Sequence, residues 1–471
     1  MHELLEREDK WDVDDRFVLP RLHDLADGAD VDRSTVHLES TYYDTADHDL
    51  QSHGIVLRRR DGDDDTGWQL KVPDAEGRLE IRSSRTEAPP SELEEMLTGL
   101  RLGKQLIDVA TIRTERTRYR IREPEHDRAW AEIADDQVHA SVDHRLLAWR
   151  EIEVEYGPDA KPLSRRLAKR LSKAGARPSR YPSKLAHAVG VPATPEHAGA
   201  GPRALATYVT EQIDAIFDGD MQLRRGQNPI HDTRVAIRRL RSTIRVFGKL
   251  LDREAATRLD DELKWFAGLL GEVRDCQVQR RRFRKVLDEW PPELVLGPVA
   301  NRINTDLHSV QLRARNEVAE AMDSPRYLDI LTTLQSWRSA LPVNTTASQK
   351  KLRKRAARAE RKADRRLSAA IKAGDDDLLH RARKAAKRAR YAAELRGPLD
   401  GSAKKTEKHF KKIQRVLGDH QDGVVASDAL RQFAVTAGTA EGENGFTFGL
   451  LFAREQRLAE AARDRARKLL R

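Results

Sequence analysis

The stretch 231–247, HDTRVAIRRLRSTIRVF, constrains this chain more than any other. Wound as a helix at 100° per residue, it places His231, Arg234, Arg238, Arg241 and Arg245 on one stripe about 80° wide. Ile237, Leu240, Ile244 and Phe247 fall on the opposite side. One face can therefore be buried while the other presents guanidiniums about one turn apart. Arginine suits a phosphate-facing row, because its planar fork grips phosphate oxygens two at a time and stays charged when partly desolvated.

The pattern recurs from His380, in HRARKAAKRARYAAEL. His380, Arg383, Lys387 and Arg390 repeat the spacing, and Arg388 repeats Arg239. Downstream, LLGEVRD ends at Asp275 and VLGDHQD ends at Asp422, with Gly271 and Gly418 at matching places. A basic helix, a second helix and an L-G-x-x-x-D turn thus occur twice, which predicts a duplicated helical unit. The pair of stretches resembles the CHAD family, the conserved-histidine α-helical domains, from about residue 202 to the C-terminus. The resemblance implies two four-helix bundles related by pseudo-twofold symmetry. It also implies that the basic helices face a shared groove that binds inorganic polyphosphate.

Charge is shared unevenly. Residues 1–200 hold 31 Lys and Arg against 40 Asp and Glu, a net −9; residues 201–471 hold 55 against 36, a net +19. The second half calls for a polyanion, and any anion site in the first must be a local cluster. No run of 18 apolar residues exists, so no membrane span is expected. The N-terminus lacks an apolar signal-peptide core, and the single cysteine, Cys276, fits a reducing compartment. A cytoplasmic protein, associated with polyphosphate granules, is the expectation.

Residues 1–160 read as about eight mostly antiparallel strands, beginning with ELLEREDKWDV and ending with WREIEVEYG, and predict a barrel or tunnel. A helix, PLSRRLAKRLSKAG, follows. Residues 188–203 are rich in Ala, Gly and Pro and lack periodicity. This sets a β domain at 1–190, a linker at 191–203 and a helical domain at 204–471. The segment SALPVNTTASQ separates repeat one, about 204–340, from repeat two, about 350–471. The run 351–367 is expected as a helix, half solvated and half groove wall. The fold class is therefore α+β multidomain.

In the β half, Glu6, Glu8 and Lys10 alternate, so a strand puts all three on one face. Glu151, Glu153 and Glu155 do the same near the other end. Brought together by barrel closure, the two rows make an oxygen-rich site for Mg²⁺ or Mn²⁺, to which Asp135 and Asp136 can add a ligand. Arg58, Arg60, Lys71, Arg78, Arg82, Arg113 and Arg116 supply cations from the strands between. Carboxylates that hold a metal beside cations that hold phosphates suit a metal-bound polyanion.

This ordered set resembles the CYTH family, the triphosphate tunnel metalloenzymes, along residues 3–187. It comprises E-x-E-x-K, YYDT at 42–45, LRRR at 57–60, WQLK at 68–71, RLEIR at 78–82, R-x-x-R at Arg113 and Arg116, ADD, EIEVE and a late Ser183-Lys184. The resemblance implies an eight-stranded antiparallel tunnel that binds triphosphate with a divalent metal. It implies in-line attack of water on a terminal phosphoryl group. Glu6, Glu8, Glu151 and Glu153 would hold metal, while Arg58, Arg60, Lys71, Arg82, Arg113, Arg116, Lys10 and Lys184 would contact phosphate. Glu151 and Glu153 fit the family register best, which leaves Glu155 without a role.

Three readings follow. The first is a triphosphatase joined to a polyphosphate-binding module. The second is a non-catalytic protein whose tunnel senses a triphosphate. The third, a nucleic-acid binder, is disfavoured because aromatics are only 5% of the chain and none interleave the basic stripes. His231 and His380 lack nearby His or Cys at ligand spacing, so a hydrogen-bonding role is expected for them rather than metal ligation.

Overall fold

The computed structural model describes residues 1–22, 25, 30–62, 66–122, 129–157, 160–191, 199–344 and 347–470. They fall into two compact units, Met1–Thr194 and Pro195–Arg471. Parts of three expected loops lie outside the described residues: 63–65 in the RDGDDDTG turn, 192–198 in the linker, and 345–346 between the repeats.

The first unit is an antiparallel sheet of ten strands: β1 (His2–Glu6), β2 (Glu8–Val13), β3 (Asp30–Asp44), β4 (Val56–Asp61), β5 (Gly67–Asp74), β6 (Gly77–Ser83), β7 (Ile107–Arg122), β8 (Ala129–Val142), β9 (Arg145–Tyr156) and β10 (Arg177–Pro178). Their order is β1-β6-β5-β4-β3-β7-β8-β9-β2-β10. Eight strands were expected. The difference is that the first one breaks at Arg7 and that a two-residue strand pairs with β2. β1 pairs with β6 and β2 with β9, so Arg7 alone carries the chain from one end of the ladder to the other. The hydrogen-bonded ladder is thus open where a closed barrel was expected, and the covalent chain spans the seam. Gly77 opens β6 because its neighbour is close: a Cβ there would lie 2.1 Å from the Glu6 carbonyl oxygen.

Four helices accompany the sheet: α1 (Asp49–Ser52), α2 (Ser91–Arg101), α3 (Lys161–Lys173) and α4 (Lys184–Val189). The alternation of the long strands is inverted relative to an ordinary half-buried sheet. Ile152 and Val154 of β9 join Trp11, Ile133 and the α3 residues Leu163, Leu167 and Leu171 in an apolar cluster. The intervening Glu151, Glu153 and Glu155 therefore point the other way, inward. At one end the interior is apolar too: Leu185 and Ala188 of α4 pack with Tyr42, Val56, Val138, Ala140 and Val142.

The second unit is helical: α5 (Ala200–Arg224), α6 (Ile230–Phe247), α7 (Arg253–Glu289), α8 (Val299–Met322), α9 (Pro325–Ser339), α10 (Gln349–Ala373), α11 (Asp376–Arg396), α12 (Ala403–Ala437) and α13 (Phe446–Arg467). Helix α5 starts at Ala200, four residues before the expected boundary, and the expected linker ends there. The duplication is visible in the elements. Short 3-10 turns, Gly248–Leu250 and Gly397–Leu399, follow α6 and α11, and a long helix follows each. Asp252, Ser324, Ser348 and Asp375 cap α7, α9, α10 and α11 by accepting a backbone N–H with their side chains.

The long helices each serve two cores. The N-terminal half of α12 packs Phe410, Ile413 and Leu417 against α10 and α11. Its C-terminal half joins α7, α8 and α13 around Phe283, Leu430, Phe433 and Phe448. That second core draws on both repeats, so the two bundles are not independent. The L-G-x-x-x-D segments were expected as turns but lie inside α7 and α12. Gly271 packs beneath Arg234 and Gly418 beneath Arg383; an added Cβ would meet those guanidiniums at 3.2 and 3.5 Å. The arginines then reach Asp275 at 3.4 Å and Asp422 at 3.6 Å. The glycine is there to let a basic side chain lie across the next helix. No described helix is long and apolar enough to cross a membrane.

Candidate functional site

Inward-facing residues of nine strands, β1 to β9, and α4 enclose a cavity of about 210 Å³. Ten cationic side chains line it: Lys10, Arg58, Arg60, Lys71, Arg78, Arg82, Arg116, Arg118, Arg120 and Lys184. Six carboxylates face them: Glu6, Glu8, Glu80, Glu132, Glu153 and Glu155. The positive excess inside a confined, low-dielectric space favours a multiply charged anion.

Register explains the arrangement. Arg116, Arg118 and Arg120 of β7 stand opposite Asp136, Ala134 and Glu132 of β8. Those in turn stand opposite Glu151, Glu153 and Glu155 of β9. Glu153 faces Lys10 and Glu155 faces Glu8 on β2. Across the seam, Glu6 of β1 lies opposite Arg78, and Glu80 of β6 opposite Lys71.

The contacts are specific. Arg116 holds Asp136 with Nε and Nη2 at 2.8 and 2.7 Å and reaches Glu153 at 2.6 Å. Lys184, on the first turn of α4 behind the Ser183 cap, places Nζ 2.8 Å from Asp136, 2.7 Å from Glu151 and 2.8 Å from Glu153. Trp149 Nε1 donates to Glu151 at 2.6 Å. Lys10 pairs with Glu8 at 3.1 Å and with Glu153. Lys71 pairs with Glu6, and with Glu80 at 3.0 Å. Arg58 donates Nε to Gln69 at 2.7 Å, and Arg60 donates to Ser40 at 3.3 Å.

Electrostatics separates the carboxylates. Burial opposes ionisation of Glu153, but Lys10, Lys184 and Arg116 outweigh it and hold its carboxyl well below the usual range. Asp136 is lowered in the same way, with Arg116 and Lys184 overcoming burial. Glu6 is pushed up to about 7 by burial and by Glu80 and Glu155, against the pull of Lys71. Burial also raises Glu155, with Glu153 and Glu8 adding to the push.

Two groups of carboxylates stand out, and among the described residues one of them, Asp136, Glu151 and Glu153, has its oxygens close enough together to share a metal ion. At the seam, Glu8 stands directly opposite Glu155, and Glu6, from the far end of the ladder, lies in electrostatic reach of Glu155. Like charges in cross-strand register repel, and Glu155 has no ion pair among the described residues. Deeper in, Asp136, Glu151 and Glu153 bring one oxygen each within 4.8 Å of one another. There the Lys184 ammonium already stands among them. Glu155, left without a role by the sequence, thus belongs to the chamber.

Two expected site residues lie elsewhere. Arg113 is three positions from Arg116, so alternation turns it out, where it pairs with Glu39 at 2.9 Å and its side chain is 72% exposed. Asp135 likewise points away from the chamber and binds Arg150 at 2.7 Å, while Asp136 is the inward acid. Sequence reading missed Glu80, Arg118, Arg120 and Glu132. The period-two run from Arg116 to Arg120 was the signal for two of them. Arg113 faces away from the chamber, so Arg113→Ala is expected to change triphosphate affinity less than about twofold. A tenfold loss by calorimetry would return Arg113 to the site.

In the helical unit the two basic rows converge. Lys387 lies in electrostatic reach of Arg383, Arg238 and Arg234, and Arg388 in reach of Arg245 and Arg241. Burial first, then those arginines, lower Lys387 to about 7. Arg238, Lys387 and Arg388 have no ion pair among the described residues. Others are partly neutralised: Arg241 and Arg245 share Asp260 at 3.0 and 2.8 Å, and Arg390 binds Glu394 at 2.9 Å. A groove of about 450 Å³ beside Arg245 and Arg388 is walled by Arg355, Arg358 and Lys362 of α10, as expected of that run. His380 Nδ1 shares a hydrogen bond with Gln421 Oε1 at 2.6 Å, whereas His231 is exposed.

A charged antiparallel β chamber followed by a duplicated all-α unit with facing basic helices defines a two-unit class of protein. Family models match in that order, a CYTH domain at residues 16–173 and a CHAD domain at 207–431. The uncharacterized protein Rv2226 of Mycobacterium tuberculosis is 34% identical over 99% of this chain and 96% of its own length. The chain belongs to the family of proteins that join a CYTH domain to a CHAD domain. Among solved structures it is similar to PptA from Streptomyces chartreusis (23% identity, TM-score 0.49, 57% of this chain and 98% of that one). It is also similar to the CHAD domain from the plant Ricinus communis (25%, 0.48, 59% and 94%). A third is the PH1819 protein from Pyrococcus horikoshii OT3 (21%, 0.24, 38% and 96%). CYTH domains are metal-dependent, and the two domain types are associated with triphosphate and polyphosphate binding.

Proposed function

We propose that the β unit is a metal-dependent phosphohydrolase of triphosphates or short polyphosphates, and that the helical unit binds inorganic polyphosphate. The observation that carries this is the chamber itself: ten cations around six carboxylates, with Glu6, Glu8 and Glu155 crowded together at one side. A divalent ion, Mg²⁺ or Mn²⁺, held by Glu6, Glu8 and Glu155 or by Asp136, Glu151 and Glu153, would neutralise phosphate oxygens and polarise the bond to be broken. Arg58, Arg60, Arg82 and Arg118 grip the phosphate chain by their forks, and Arg116, its fork held by Asp136 and Glu153, adds positive charge that offsets what spreads over the terminal group. Lys10, Lys71 and Lys184 add point charges. The apolar plug of Leu185 and Ala188 at one end keeps bulk water from the interior. The helical rows would hold polymer by charge and hydrogen bonds alone. The setting this favours is the cytoplasm, at polyphosphate granules.

The test is phosphate release from tripolyphosphate, thiamine triphosphate and ATP with each metal and with chelator. Hydrolysis that needs metal is expected. Glu8→Gln should reduce turnover by more than about a hundredfold, beyond what losing an outer-sphere partner costs, because an amide is a poor ligand for a hard cation. Triphosphate binding without hydrolysis under any condition would instead make the chamber a sensor.

A further inference from the structure

The two helical repeats differ beside their shared basic face. The 147-residue offset that carries Gly271 onto Gly418 and Asp275 onto Asp422 also carries Arg274 onto Gln421, Gln277 onto Val424, Arg280 onto Ser427 and Arg281 onto Asp428. Helix α7 thus keeps cations where α12 has an amide, a hydroxyl and a carboxylate. Arg274 and Arg281 are two turns apart on one face of α7. Arg274 lies in electrostatic reach of Arg238, from the central row, and of Arg281 beyond it. The cations therefore run without a break from Lys387 through Arg238 and Arg274 to Arg281.

That run ends in a groove. Between α7 and α8 lies a cavity of about 840 Å³ lined by Arg280, Arg281, Arg284 and Arg315, with Asp288 as its single acid. It is a built site. Asn304 and Gln311, the latter 7% exposed, accept from the Arg280 fork at 2.7 and 3.0 Å and fix it. Gln277, whose amide already donates to Asn228 at 3.0 Å, and Asn301 line the same groove. Arg281 and Arg315 are exposed and have no ion pair among the described residues. Arg274 leans on Gln277 and Arg284 on Asp288 at 3.8 Å, but the guanidiniums still span about 15 Å along the helix from Arg274 to Arg284, an array that fits a linear phosphate chain better than a compact anion.

We propose that the helical unit binds polyphosphate asymmetrically, with the chain leaving the central rows along α7 and entering the α7/α8 groove as an extension site for long chains. This rests on the polyphosphate reading above. The groove adds contacts only to a polymer long enough to reach it, so it selects for length.

The experiment compares long-chain and short-chain inorganic polyphosphate binding to the full-length protein by fluorescence anisotropy. In Arg281→Glu/Arg315→Glu, long-chain affinity is expected to fall more than tenfold and short-chain affinity less than twofold. The slope of log affinity on log salt for long chains should shrink by roughly 1.4–1.8, the share of two phosphate contacts. The matched surface variant Arg431→Glu/Arg457→Glu, on α12 and α13, makes the same charge change and should leave both affinities within about threefold. Equal losses in the two double variants would overturn the one-sided path. So would an unchanged long-chain affinity in the first variant. Wild-type protein that binds neither length would overturn the polyphosphate reading itself, which is a distinct result.

Discussion

Arg116→Met is expected to destabilise the β unit by about 3–5 kcal/mol, the usual cost of removing one partner from a buried ionic cluster. Arg116 is 6% exposed and Asp136 is fully buried, and the guanidinium satisfies both oxygens of Asp136 and one of Glu153. Methionine fills the space but leaves two carboxylates facing each other with only lysines to balance them. For a unit of this size the melting temperature should drop by roughly 6–20 °C. The sign of the pH dependence is fixed by the direction of the shifts. Asp136 and Glu153 are held below their ordinary values, so in the wild type they add stability above the unfolded carboxylate range, about pH 4, and lose it as pH falls toward their folded values. Without Arg116 those values rise, and the penalty is largest at neutral pH and narrows as pH falls toward 4. Adding Asp136→Asn to Arg116→Met should recover part of the loss, because one uncompensated charge is removed. Urea melts in chelator at pH 4.5 and 7.5 decide it. A loss under 1 kcal/mol, or one independent of pH, would mean that water reaches Asp136 and the chamber is not the dry enclosure described.

How much of this was legible in the sequence varies by element. The repeat of His231 and His380 with their arginines gave the helical duplication, because periodicity 3.6 survives any detail of packing. The role of Gly271 and Gly418 was not legible: L-G-x-x-x-D reads as a turn, and only the crossing of α6 over α7 shows that the glycine makes room for Arg234. Glu6, Glu8 and Lys10 were read correctly as one face, since alternation is local. Which of two neighbours faces inward needs a fixed register, and that is why Asp135 was offered alongside Asp136 and Arg113 was grouped with Arg116. Strand parity relative to Arg116 corrects both. Glu155 had no role until pairing put it opposite Glu8. The split at Arg7 depends on which strands lie at the two ends of the sheet, a tertiary fact that local pattern does not encode.

Arg238→Glu/Lys387→Glu is expected to lower polyphosphate affinity by more than about a hundredfold, since it reverses two cations where the rows of α6 and α11 meet. These two, unlike Arg241 and Arg245, form no ion pair among the described residues, and only Asp422 draws on Lys387 from a distance, so their charge is available to a ligand. By the behaviour of other linear polyanions, each lost contact should also flatten the salt dependence by about 0.7–0.9 per cation. Lys387 adds a second signature. Burial and the neighbouring Arg383 and Arg238 lower it to about 7, so in the free protein it loses its proton as pH rises through neutrality. A bound polyanion favours the charged form and raises that value. Binding should therefore take up close to one proton near pH 8, and affinity should fall by up to about tenfold per pH unit above 7. Below about pH 6, where Lys387 is charged in both states, affinity should level off. Lys387→Met should bind more weakly at pH 6 yet lose the fall between pH 7 and 9. Calorimetry in buffers of different ionisation enthalpy measures the proton uptake directly. If Lys387→Met keeps the wild-type pH profile, or if the double reversal leaves affinity within threefold with the helical content intact, the meeting point of the two rows does not carry the polymer.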